Sequence, residues 1–256
     1  MSPSKDLLSE SEILRYNRQI SIKAIDFEGQ EALKLAKVLI IGMGGLGCAA
    51  SQYLAVAGVG ELTLVDFDIV ELSNLQRQVL HQDADIGRAK VHSAKDSLLL
   101  TNPHIKINAI HGLLSDDSLL EQIERHDIIV DCTDNLTVRQ QLNQLCLKTK
   151  KPLVSAAAIR MEGLITVFDY QAESPCYQCF SQLFGEQQLT CVESGILAPV
   201  IGVMGSLQAV ETIKLICKIG QPLIGRVLMF DAMTLEMRQM KLNKIDKCSI
   251  CSKSNS

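Results

Sequence analysis

Short aliphatic runs alternate with longer amphipathic stretches along most of this chain. The aliphatic runs, which predict strands, lie at residues 38–41, 61–66, 105–110, 127–135 and 152–157. The helices predicted between them cover residues 48–57, 90–100, 116–125 and 136–148. Strands that alternate with helices in this way are typical of a parallel sheet covered by helices.

The pattern changes in the C-terminal part of the chain. Residues 164–168 predict an antiparallel strand, and residues 227–230 and 235–242 predict a closing hairpin. Between them, Pro199 begins a long apolar helix that continues to Cys217. The sequence therefore predicts an α/β fold whose mostly parallel sheet is extended by antiparallel C-terminal strands.

The first predicted strand runs directly into a glycine-rich turn. Glycines let the backbone turn tightly and approach an anion, and the free N–H groups at the next helix start can bind phosphate. Alone this motif is weak evidence, because such a turn can carry glycines for packing. The second strand, however, ends in Asp66, an acid suited to a ribose hydroxyl, 19 residues after Gly47. We therefore predict a Rossmann-like, doubly wound unit with a nucleotide site at Gly42, Gly44, Gly45 and Gly47.

A polar segment follows the second strand, where a dehydrogenase would normally continue with its next strand and helix. It contains Asp66-Phe67-Asp68 and then residues 71–78, which carry amide, hydroxyl and guanidinium groups. Lys90 lies in the first turn of the next helix, where the dipole disfavours a cation unless an anion binds nearby. Lys90 is therefore a candidate phosphate ligand, with an ordinary surface lysine as the alternative.

Two acids lie at the end of the fourth predicted strand. Asp131 and Asp134 are expected at the carboxyl edge of the sheet, where open α/β sheets bind ligands and where acids can hold a metal beside a phosphate. Each has a structural alternative. Asp134 can cap the helix that begins at Leu136, and Asp131 can pair with a basic neighbour.

The N-terminal region predicts a helix. Ser9 and Glu12 have the spacing of a capping box, and the helix continues toward Ile20. Residues 15–19 form a polar cluster on it. By spacing alone, this cluster is a solvated helix face.

Nine cysteines indicate metal binding or catalysis rather than disulfides in a cytosolic chain. Cys176 and Cys179 form one CxxC pair, and Cys248 and Cys251 form a second. Four thiolates satisfy tetrahedral zinc and leave no open coordination position, so the predicted zinc knuckle is structural. A redox dithiol is the competing interpretation for one pair. Cys191, in a segment without regular periodicity, is interpreted as an ordinary free cysteine, with a reactive thiol as the alternative.

Composition and charge narrow the functional classes. A chain of 256 residues that is 47% hydrophobic can bury a large aliphatic core, as one α/β domain or two small ones. Its net charge of −4 gives no electrostatic reason to expect nucleic acid or an anionic membrane as partner. The N-terminus lacks the apolar segment of a secretory signal, and residues 194–210 are too polar for a membrane span. We expect a cytoplasmic protein.

Together these motifs resemble the ThiF/MoeB/ubiquitin-activating-enzyme (E1-like) superfamily, most densely its MoeB-type branch. The resemblance extends from about Leu14 to Cys251. It rests on the glycine turn and the two CxxC pairs, together with Arg15-Tyr16-Asn17-Arg18-Gln19, Asp66-Phe67-Asp68, Ser73-Asn74-Leu75-Gln76-Arg77, Lys90, Asp131-Cys132-Thr133-Asp134-Asn135 and Arg160-Met161-Glu162-Gly163. It implies a single E1-like ATP-binding adenylation domain over residues 1–256. That domain would contain an N-terminal helical arm at about 9–34, a Rossmann-like core at about 37–158 and an antiparallel, zinc-bearing half at about 159–251.

The resemblance also implies an activity. It is the ATP-dependent adenylation of the C-terminal Gly-Gly carboxylate of a small ubiquitin-like sulfur carrier, the MoaD-like subunit of molybdopterin synthase. Arg77 and Lys90 match phosphate ligands, Asp134 matches a Mg²⁺-associated residue and Asp66 matches the ribose ligand. The other nucleotide-binding residues implied are Gly42, Gly44, Gly45, Gly47, Asp68, Ser73, Asn74, Leu75, Gln76 and Asn135. The implied cofactors are ATP, Mg²⁺ and a structural Zn²⁺.

Members of this family are expected to act as assemblies. The resemblance implies a homodimer in which Arg18 reaches the partner's triphosphate, and a heterotetramer once the carriers bind. It implies a separate sulfur donor, and it leaves Cys191 outside the catalytic set.

Three alternatives remain open from the sequence. The first is the same chemistry on a ThiS-like carrier for thiamine biosynthesis. The second is a nicotinamide-dependent oxidoreductase, which explains the glycine turn and Asp66 but gives no role to Arg18, Arg77 or Lys90. The third is a nucleotide-sensing scaffold whose zinc knuckle binds a partner.

Overall fold

The computed structural model describes residues 7–184 and 195–252. In these ranges the helices are α1 (Glu10–Ile20), α2 (Asp26–Leu35), α3 (Gly45–Val56), α4 (Lys90–Thr101), α5 (Asp116–Arg125), α6 (Leu136–Thr149), α7 (Tyr177–Phe184) and α8 (Ala198–Cys217). The strands are β1 (Lys37–Ile41), β2 (Glu61–Asp66), β3 (Lys106–His111), β4 (Ile128–Asp131), β5 (Leu153–Ile159), β6 (Glu162–Phe168), β7 (Arg226–Asp231) and β8 (Glu236–Lys241). They form one sheet in the order β3-β2-β1-β4-β5-β6-β7-β8.

Strands β1 to β5 are parallel. Val38 of β1 pairs with Leu62 of β2 on one side and with Ile128 of β4 on the other. The chain moves outward from β1 through β2 to β3 and then returns to β4, so the strand order reverses beside β1. In open α/β sheets a ligand binds at this reversal, beyond the carboxyl ends of the strands.

Strands β6, β7 and β8 extend the sheet in the antiparallel direction. Ser155 of β5 pairs with Thr166 of β6, and Phe230 of β7 pairs with Met237 of β8. The hairpin of β7 and β8 ends the sheet, and every residue of β8 is exposed. The predicted mostly parallel sheet with antiparallel C-terminal strands is confirmed.

Both faces of the parallel strands are buried, which explains their nearly continuous apolar sequences. Val38 and Ile40 of β1 face a core shared with helices α3, α4 and α8. Leu39 and Ile41 face a second core formed with α5, α6 and α7. The four cysteines of the two CxxC pairs belong to this second core.

Helix α8 is long and apolar enough to cross a membrane by length and composition. It nevertheless packs on α2, α3 and strands β4, β5 and β6. Its buried residues include Gln208, whose Nε2 donates to the Asp131 carbonyl at 2.7 Å, and Glu211, whose Oε2 accepts from the Leu223 N–H at 2.8 Å. These contacts are those of a core helix in a globular domain.

The N-terminal capping box is confirmed. The Glu12 carboxylate accepts from the Ser9 N–H at 2.9 Å, and Ser9 Oγ accepts from the Glu12 N–H at 3.3 Å. Leu8, Tyr16 and Ile20 form a third, small apolar cluster on α1 and just before it. Asn102 Nδ2 donates to the Tyr16 hydroxyl oxygen at 2.8 Å and joins α1 to the body of the domain.

Two details differ from the sequence predictions. The fourth strand ends at Asp131 rather than continuing to Asn135, because the Asp131 side chain accepts from the Thr133 N–H at 3.0 Å and turns the chain out of the sheet. Asn135, not Asp134, caps α6, since its Oδ1 accepts from the N–H of Thr137 at 2.8 Å. The capping role considered for Asp134 is therefore wrong.

Helix α7 was not predicted. It has eight residues and lies inside a segment where only the CxxC pair gave a signal. Its Tyr177 and Phe180 rings pack against Phe168, with ring centroids 6.1 and 6.4 Å away. This tertiary contact, rather than any local pattern, stabilises so short a helix.

Candidate functional site

A cavity of about 1150 Å³ opens at the carboxyl ends of β1, β2 and β4. It lies where the strand order reverses. The predicted site residues that line it are Gly42, Gly44, Gly45, Asp66, Asp68, Asn74, Arg77, Lys90, Asp134 and Asn135. A volume above that of a typical drug-sized site, about 300–1,000 Å³, leaves room for a nucleotide and part of a second substrate.

The glycine turn is shaped by close backbone contacts. Gly42 has φ +94°, and a Cβ there would lie 2.8 Å from the Cys132 carbonyl oxygen of the neighbouring strand end. A Cβ on Gly47 would lie 1.9 Å from the Gly42 oxygen. Gly47 therefore packs helix against turn and is absent from the cavity lining of the described chain, whereas Gly44 and Gly45 place the start of α3 at the cavity. The N–H groups of this helix start can serve an anion.

Asp66 is fixed by the backbone around it. Its Oδ2 accepts from the Met43 N–H at 2.6 Å, and its Oδ1 accepts from the Asp68 N–H at 2.8 Å. The side chain is nearly buried, at 9% relative exposure for the residue, yet it borders the cavity. A carboxylate has further lone pairs beyond these two bonds, so this one can still accept from a hydroxyl.

Some residues of the polar segment after β2 line the cavity and others do not. Arg77 is half-buried, borders the cavity and donates from Nη1 to the Ser73 carbonyl at 3.0 Å. Asn74 is buried, and its Oδ1 accepts from the Glu71 N–H at 3.2 Å, which shapes the short 3₁₀ turn Leu72–Asn74. Among the described residues, Ser73, Leu75 and Gln76 do not line the cavity. The structure therefore does not bring these three predicted residues to the cavity.

The two remaining basic residues predicted for the site, Lys90 and Arg18, differ in exposure. The Lys90 side chain is 7% exposed, and its Nζ lies 2.8 Å from Asp68 Oδ2. Arg18 is exposed on α1 and is not among the residues lining the cavity of its own chain, as far as the structure describes it.

The turn after β4 is tightly held, although Asp134 itself is exposed. Asp131 is fully buried, and its two oxygens accept from Thr133 Oγ1 at 2.7 Å and Ser155 Oγ at 2.6 Å. Arg139 donates to the carbonyls of Thr133 and Ala156, the latter at 3.0 Å. These bonds join the carboxyl ends of β4 and β5 and fix the turn that carries Asp134.

Arg139 is a cavity residue that the sequence analysis missed. Its side chain is 12% exposed, and its Nε lies 3.7 Å from Asp131 Oδ2 without a hydrogen-bond partner in the described chain. Burial alone would lower the pKa of Arg139, but Asp131 and Tyr177 outweigh it and raise that pKa. The sequence offered one clue, since a basic partner for Asp131 was among the alternatives, and that alternative is confirmed.

The cavity extends beyond the predicted residues in two directions. Apolar side chains, which the motifs did not indicate, line one side of it: Leu113, Leu114, Leu119 and Leu136. The other end reaches the antiparallel strands, where the lining includes Arg160, Glu162, Asp231, Glu236 and Arg238. The arrangement is a trough from the glycine turn to the exposed hairpin of β7 and β8.

The two CxxC pairs meet in space. Their four sulfur atoms lie within 4.8 Å of one another and all four residues are buried. Neighbouring sulfurs are 3.9 Å apart for Cys176 and Cys179, 3.7 Å for Cys176 and Cys248, and 3.6 Å for Cys179 and Cys251. Sulfurs bound tetrahedrally at about 2.3 Å from one zinc would be about 3.8 Å apart. The geometry therefore fits a closed four-thiolate metal site.

The other described cysteines are poor nucleophiles. Burial raises the pKa of the Cys48 thiol to about 12 and also raises the pKa values of Cys132, Cys146 and Cys217. A thiol with a raised pKa is almost entirely protonated near neutral pH and reacts slowly. Cys191 lies outside the described residues.

Comparison with known proteins agrees with this arrangement. A model of the ThiF family matches residues 16–250 of the chain. The molybdopterin-synthase adenylyltransferase of Escherichia coli (strain K12) is 60% identical over 244 residues, which cover 95% of this chain and 98% of that protein. The molybdopterin-synthase adenylyltransferase of Haemophilus influenzae is 55% identical over 235 residues, 92% of this chain and 97% of that protein.

More distant relatives share the same region. The adenylyltransferase and sulfurtransferase MOCS3 of Drosophila willistoni is 43% identical over 96% of this chain, which spans 54% of that protein. The crystal structure of Escherichia coli MccB with ATP superposes with a TM-score of 0.82 at 26% identity, covering 97% of this chain and 76% of that one. The fold is thus shared with a group of proteins that includes a solved ATP complex.

Proposed function

Because the chain belongs to the ThiF family, we propose that it is a molybdopterin-synthase adenylyltransferase. It uses ATP to convert the C-terminal Gly-Gly carboxylate of a small MoaD-like carrier into an acyl-adenylate in molybdenum cofactor biosynthesis. The identity of 55–60% to curated adenylyltransferases over more than nine-tenths of the chain supports this activity. The protein is expected in the cytoplasm.

One structural observation carries the proposal. A single cavity brings together the helix start after the glycine turn, Arg77, Lys90 and the Asp134 turn, and then continues to the exposed β8 edge. The helix start, Arg77, Lys90 and the Asp134 turn are suited to binding phosphates. The open end of the cavity at β8 is suited to binding an extended protein tail. A site for a dinucleotide alone would not need a trough that crosses the antiparallel half of the sheet.

The chemistry requires charge to be neutralised. A carboxylate is repelled by a triphosphate, so N–H dipoles and cations must stabilise the charge that develops on the phosphates. One oxygen of the carrier carboxylate attacks the α-phosphorus and forms a new O–P bond. The bond between the α-phosphorus and its bridging oxygen breaks, and pyrophosphate leaves with that electron pair. The products are the carrier acyl-adenylate and pyrophosphate.

The side chains of the cavity have distinct roles in this reaction. Asp66, held by two backbone N–H groups, accepts from a ribose hydroxyl, and Arg77 and Lys90 bind the phosphates. Asp134 accompanies Mg²⁺, which neutralises phosphate charge when bound, and Arg139 fixes the turn that carries Asp134. The leucines on one side of the trough provide an apolar surface for the base.

The cysteine cluster has a structural role. Cys176, Cys179, Cys248 and Cys251 would hold Zn²⁺, which when bound ties the chain's C-terminal segment to α7. Four thiolates would leave the ion no open coordination position, so this site would take no part in adenylation.

The working unit is proposed to be a homodimer. Arg18 is exposed on α1, where it can reach the triphosphate of a partner subunit and add positive charge there. Two MoaD-like carriers would complete a heterotetramer, and a separate donor would supply sulfur to the acyl-adenylate. Cys191 has no assigned role in this scheme.

Carrier-dependent ATP–pyrophosphate exchange tests the proposal. Purified protein, MgATP and a MoaD-like carrier ending in Gly-Gly should exchange labelled pyrophosphate into ATP, and mass spectrometry should detect the carrier adenylate. A ThiS-like carrier, tested in parallel, should react more slowly. Asp134→Ala and Arg77→Ala should abolish exchange while carrier binding is kept. Absence of exchange with every Gly-Gly carrier, or tight NAD binding without ATP binding, would overturn the proposal.

A further inference from the structure

Lys90 is held by one residue at two points. Its Nζ lies 2.8 Å from Asp68 Oδ2, and its backbone N–H donates to the Asp68 carbonyl at 3.0 Å. The side chain is 7% exposed, so the ammonium group has little contact with water. The ion pair with Asp68 is therefore the main compensation for burying this charge.

The position of Lys90 at the start of α4 makes a nearby negative charge more favourable. Lys90 is the first residue of α4, and the residue before it, Ala89, provides no side-chain cap in the described structure. The positive end of the helix dipole disfavours a cation at this position. An anion beside Lys90 is therefore favourable, whether it is a phosphate or a carboxylate of the protein.

The two acids at the end of β2 are placed differently. Both oxygens of Asp66 accept backbone N–H groups, which fixes that carboxylate in the wall of the cavity. The Asp68 side chain is 47% exposed, and the Lys90 ammonium bonds to its Oδ2. Asp68 can thus rotate toward solvent without breaking the backbone contacts that shape the turn.

We propose that Asp68 is an exchangeable counter-ion, which occupies the phosphate position on Lys90 and is displaced when a polyphosphate binds. The inference rests on the proposed function, because it takes Lys90 as a phosphate ligand. It assigns to Asp68 a role distinct from holding ribose or Mg²⁺. Since the carboxylate competes with phosphate for one ammonium group, it weakens polyphosphate binding and assists the departure of pyrophosphate.

The proposal makes a prediction opposite in sign to that of a ligand-binding role. If Asp68 held ribose or Mg²⁺, Asp68→Asn would weaken binding of MgATP. If it competes for Lys90, the same substitution removes the competitor. Binding should then become about two- to fivefold tighter, the range expected for a partly exposed ion pair. The ligand-free protein should also lose stability, because the buried ammonium group loses its counter-ion.

Calorimetric titrations of wild type and Asp68→Asn with inorganic pyrophosphate, and separately with MgATP, test this directly. Tighter binding of pyrophosphate together with a lower Tm of the ligand-free variant is expected. The difference should disappear in a Lys90→Gln background, where there is no ammonium group to compete for. Unchanged or weaker pyrophosphate binding by a folded Asp68→Asn protein would overturn the proposal.

Asp96→Asn is the matched control. Asp96 lies on the same helix as Lys90 and pairs with Arg88 at 2.6 Å, and it is exposed and outside the cavity lining of the described chain. The substitution removes the same negative charge, so it reports the general electrostatic effect on anion binding. If Asp96→Asn tightens binding as much as Asp68→Asn, the counter-ion role is wrong. If the wild type binds neither MgATP nor pyrophosphate, the proposed function fails instead.

Discussion

The cavity and the cysteine cluster are two polar sites of one fold that differ in their exposure to solvent. All four cysteines of the cluster are buried, and their sulfurs lie within 4.8 Å of one another. In the cavity, Asp134 is exposed, Arg77 is half-buried and Asp68 is 47% exposed. The cluster is closed by its own ligands, whereas the cavity keeps polar groups accessible to other molecules.

This difference separates stability from function. A closed four-thiolate site contributes to folding when metal is bound, and its loss acts on the whole C-terminal half. Accessible polar groups in the cavity contribute less to the stability of the fold. The unfavourable free energy of holding them there is offset only when a substrate binds. We therefore expect cluster substitutions to lower Tm more than they change ligand affinity, and cavity substitutions to do the reverse.

Removal of one cluster ligand should have the largest effect on stability. Cys248→Ser is expected to reduce zinc content and to lower Tm by roughly 10 °C, since loss of a structural metal is among the most destabilising changes. Thermal unfolding and elemental analysis measure both effects. Cys217→Ser, at a half-buried cysteine outside the cluster, should change neither. Equal Tm values for the two variants would show that the cluster adds no stability.

The glycine turn should come next, because backbone strain there affects both folding and binding. Gly42→Ala places a Cβ 2.8 Å from the Cys132 oxygen at φ +94°, which should cost about 2–3 kcal/mol and abolish MgATP binding. At Gly87, φ is +88° and nothing in the described chain lies within 4 Å of a Cβ. Gly87→Ala should therefore cost only about 1 kcal/mol. Both variants carry the strain of a positive φ, but of the two only Gly42→Ala also brings a Cβ close to the Cys132 oxygen. Denaturant unfolding of both variants separates these two effects. Equal losses of unfolding free energy would contradict the close-contact argument.

Local spacing explains what could be predicted from the sequence. The glycine turn, Asp66 and the CxxC pairs are short motifs whose function follows from residues a few positions apart, and the structure brings them to the expected places. The alternation of apolar runs predicted the parallel strands for the same reason. Each of these motifs can be recognised from residues close together in the chain, although the two CxxC pairs meet only in the folded protein.

The features that the sequence analysis missed depend on contacts between segments that are distant in the sequence. Arg139 reaches the cavity because α6 begins at the end of β4 and because β5 lies beside β4, so that its guanidinium meets the Ala156 carbonyl. The leucines of the trough come from three separate segments, and Tyr177 lies on a helix that packs its rings against Phe168 of a distant strand. No spacing within one segment contains this information.

Arg139 offers a test of how the accessible cavity depends on a buried pair. Arg139→Gln leaves the carboxylate of Asp131 without its cation and should cost about 2 kcal/mol, less than a fully broken buried pair because Thr133 and Ser155 still bond to Asp131. We expect pyrophosphate exchange to fall at least tenfold, since the Asp134 turn loses its anchor. Arg125→Gln, which removes an exposed pair with Glu121, should stay within about 0.5 kcal/mol of wild type. Unaltered exchange in Arg139→Gln would refute the anchoring role.

The smallest effect is expected at the ion pair of Glu12 and Lys34, which joins α1 to α2 and belongs to neither the cavity lining nor the cysteine cluster of the described chain. Burial alone would raise the pKa of Glu12, but hydrogen bonds from Lys34 and Ser9 outweigh it and lower the pKa to about 2. A carboxyl whose pKa is lowered by folding stabilises the protein above about pH 4.5, and this contribution is lost as the pH falls toward 2.

Glu12→Gln removes this titration. The Tm of wild type should exceed that of the variant near pH 7 by the equivalent of about 1 kcal/mol, and the difference should shrink as the pH falls through that window. Glu10→Gln, an exposed position in the same helical turn, should follow the wild-type curve. Because α1 also carries Arg18, pyrophosphate exchange measured on the same series shows whether loosening the helix affects the cavity. A constant Tm difference between Glu12→Gln and wild type at every pH would mean that folding does not lower the pKa of Glu12.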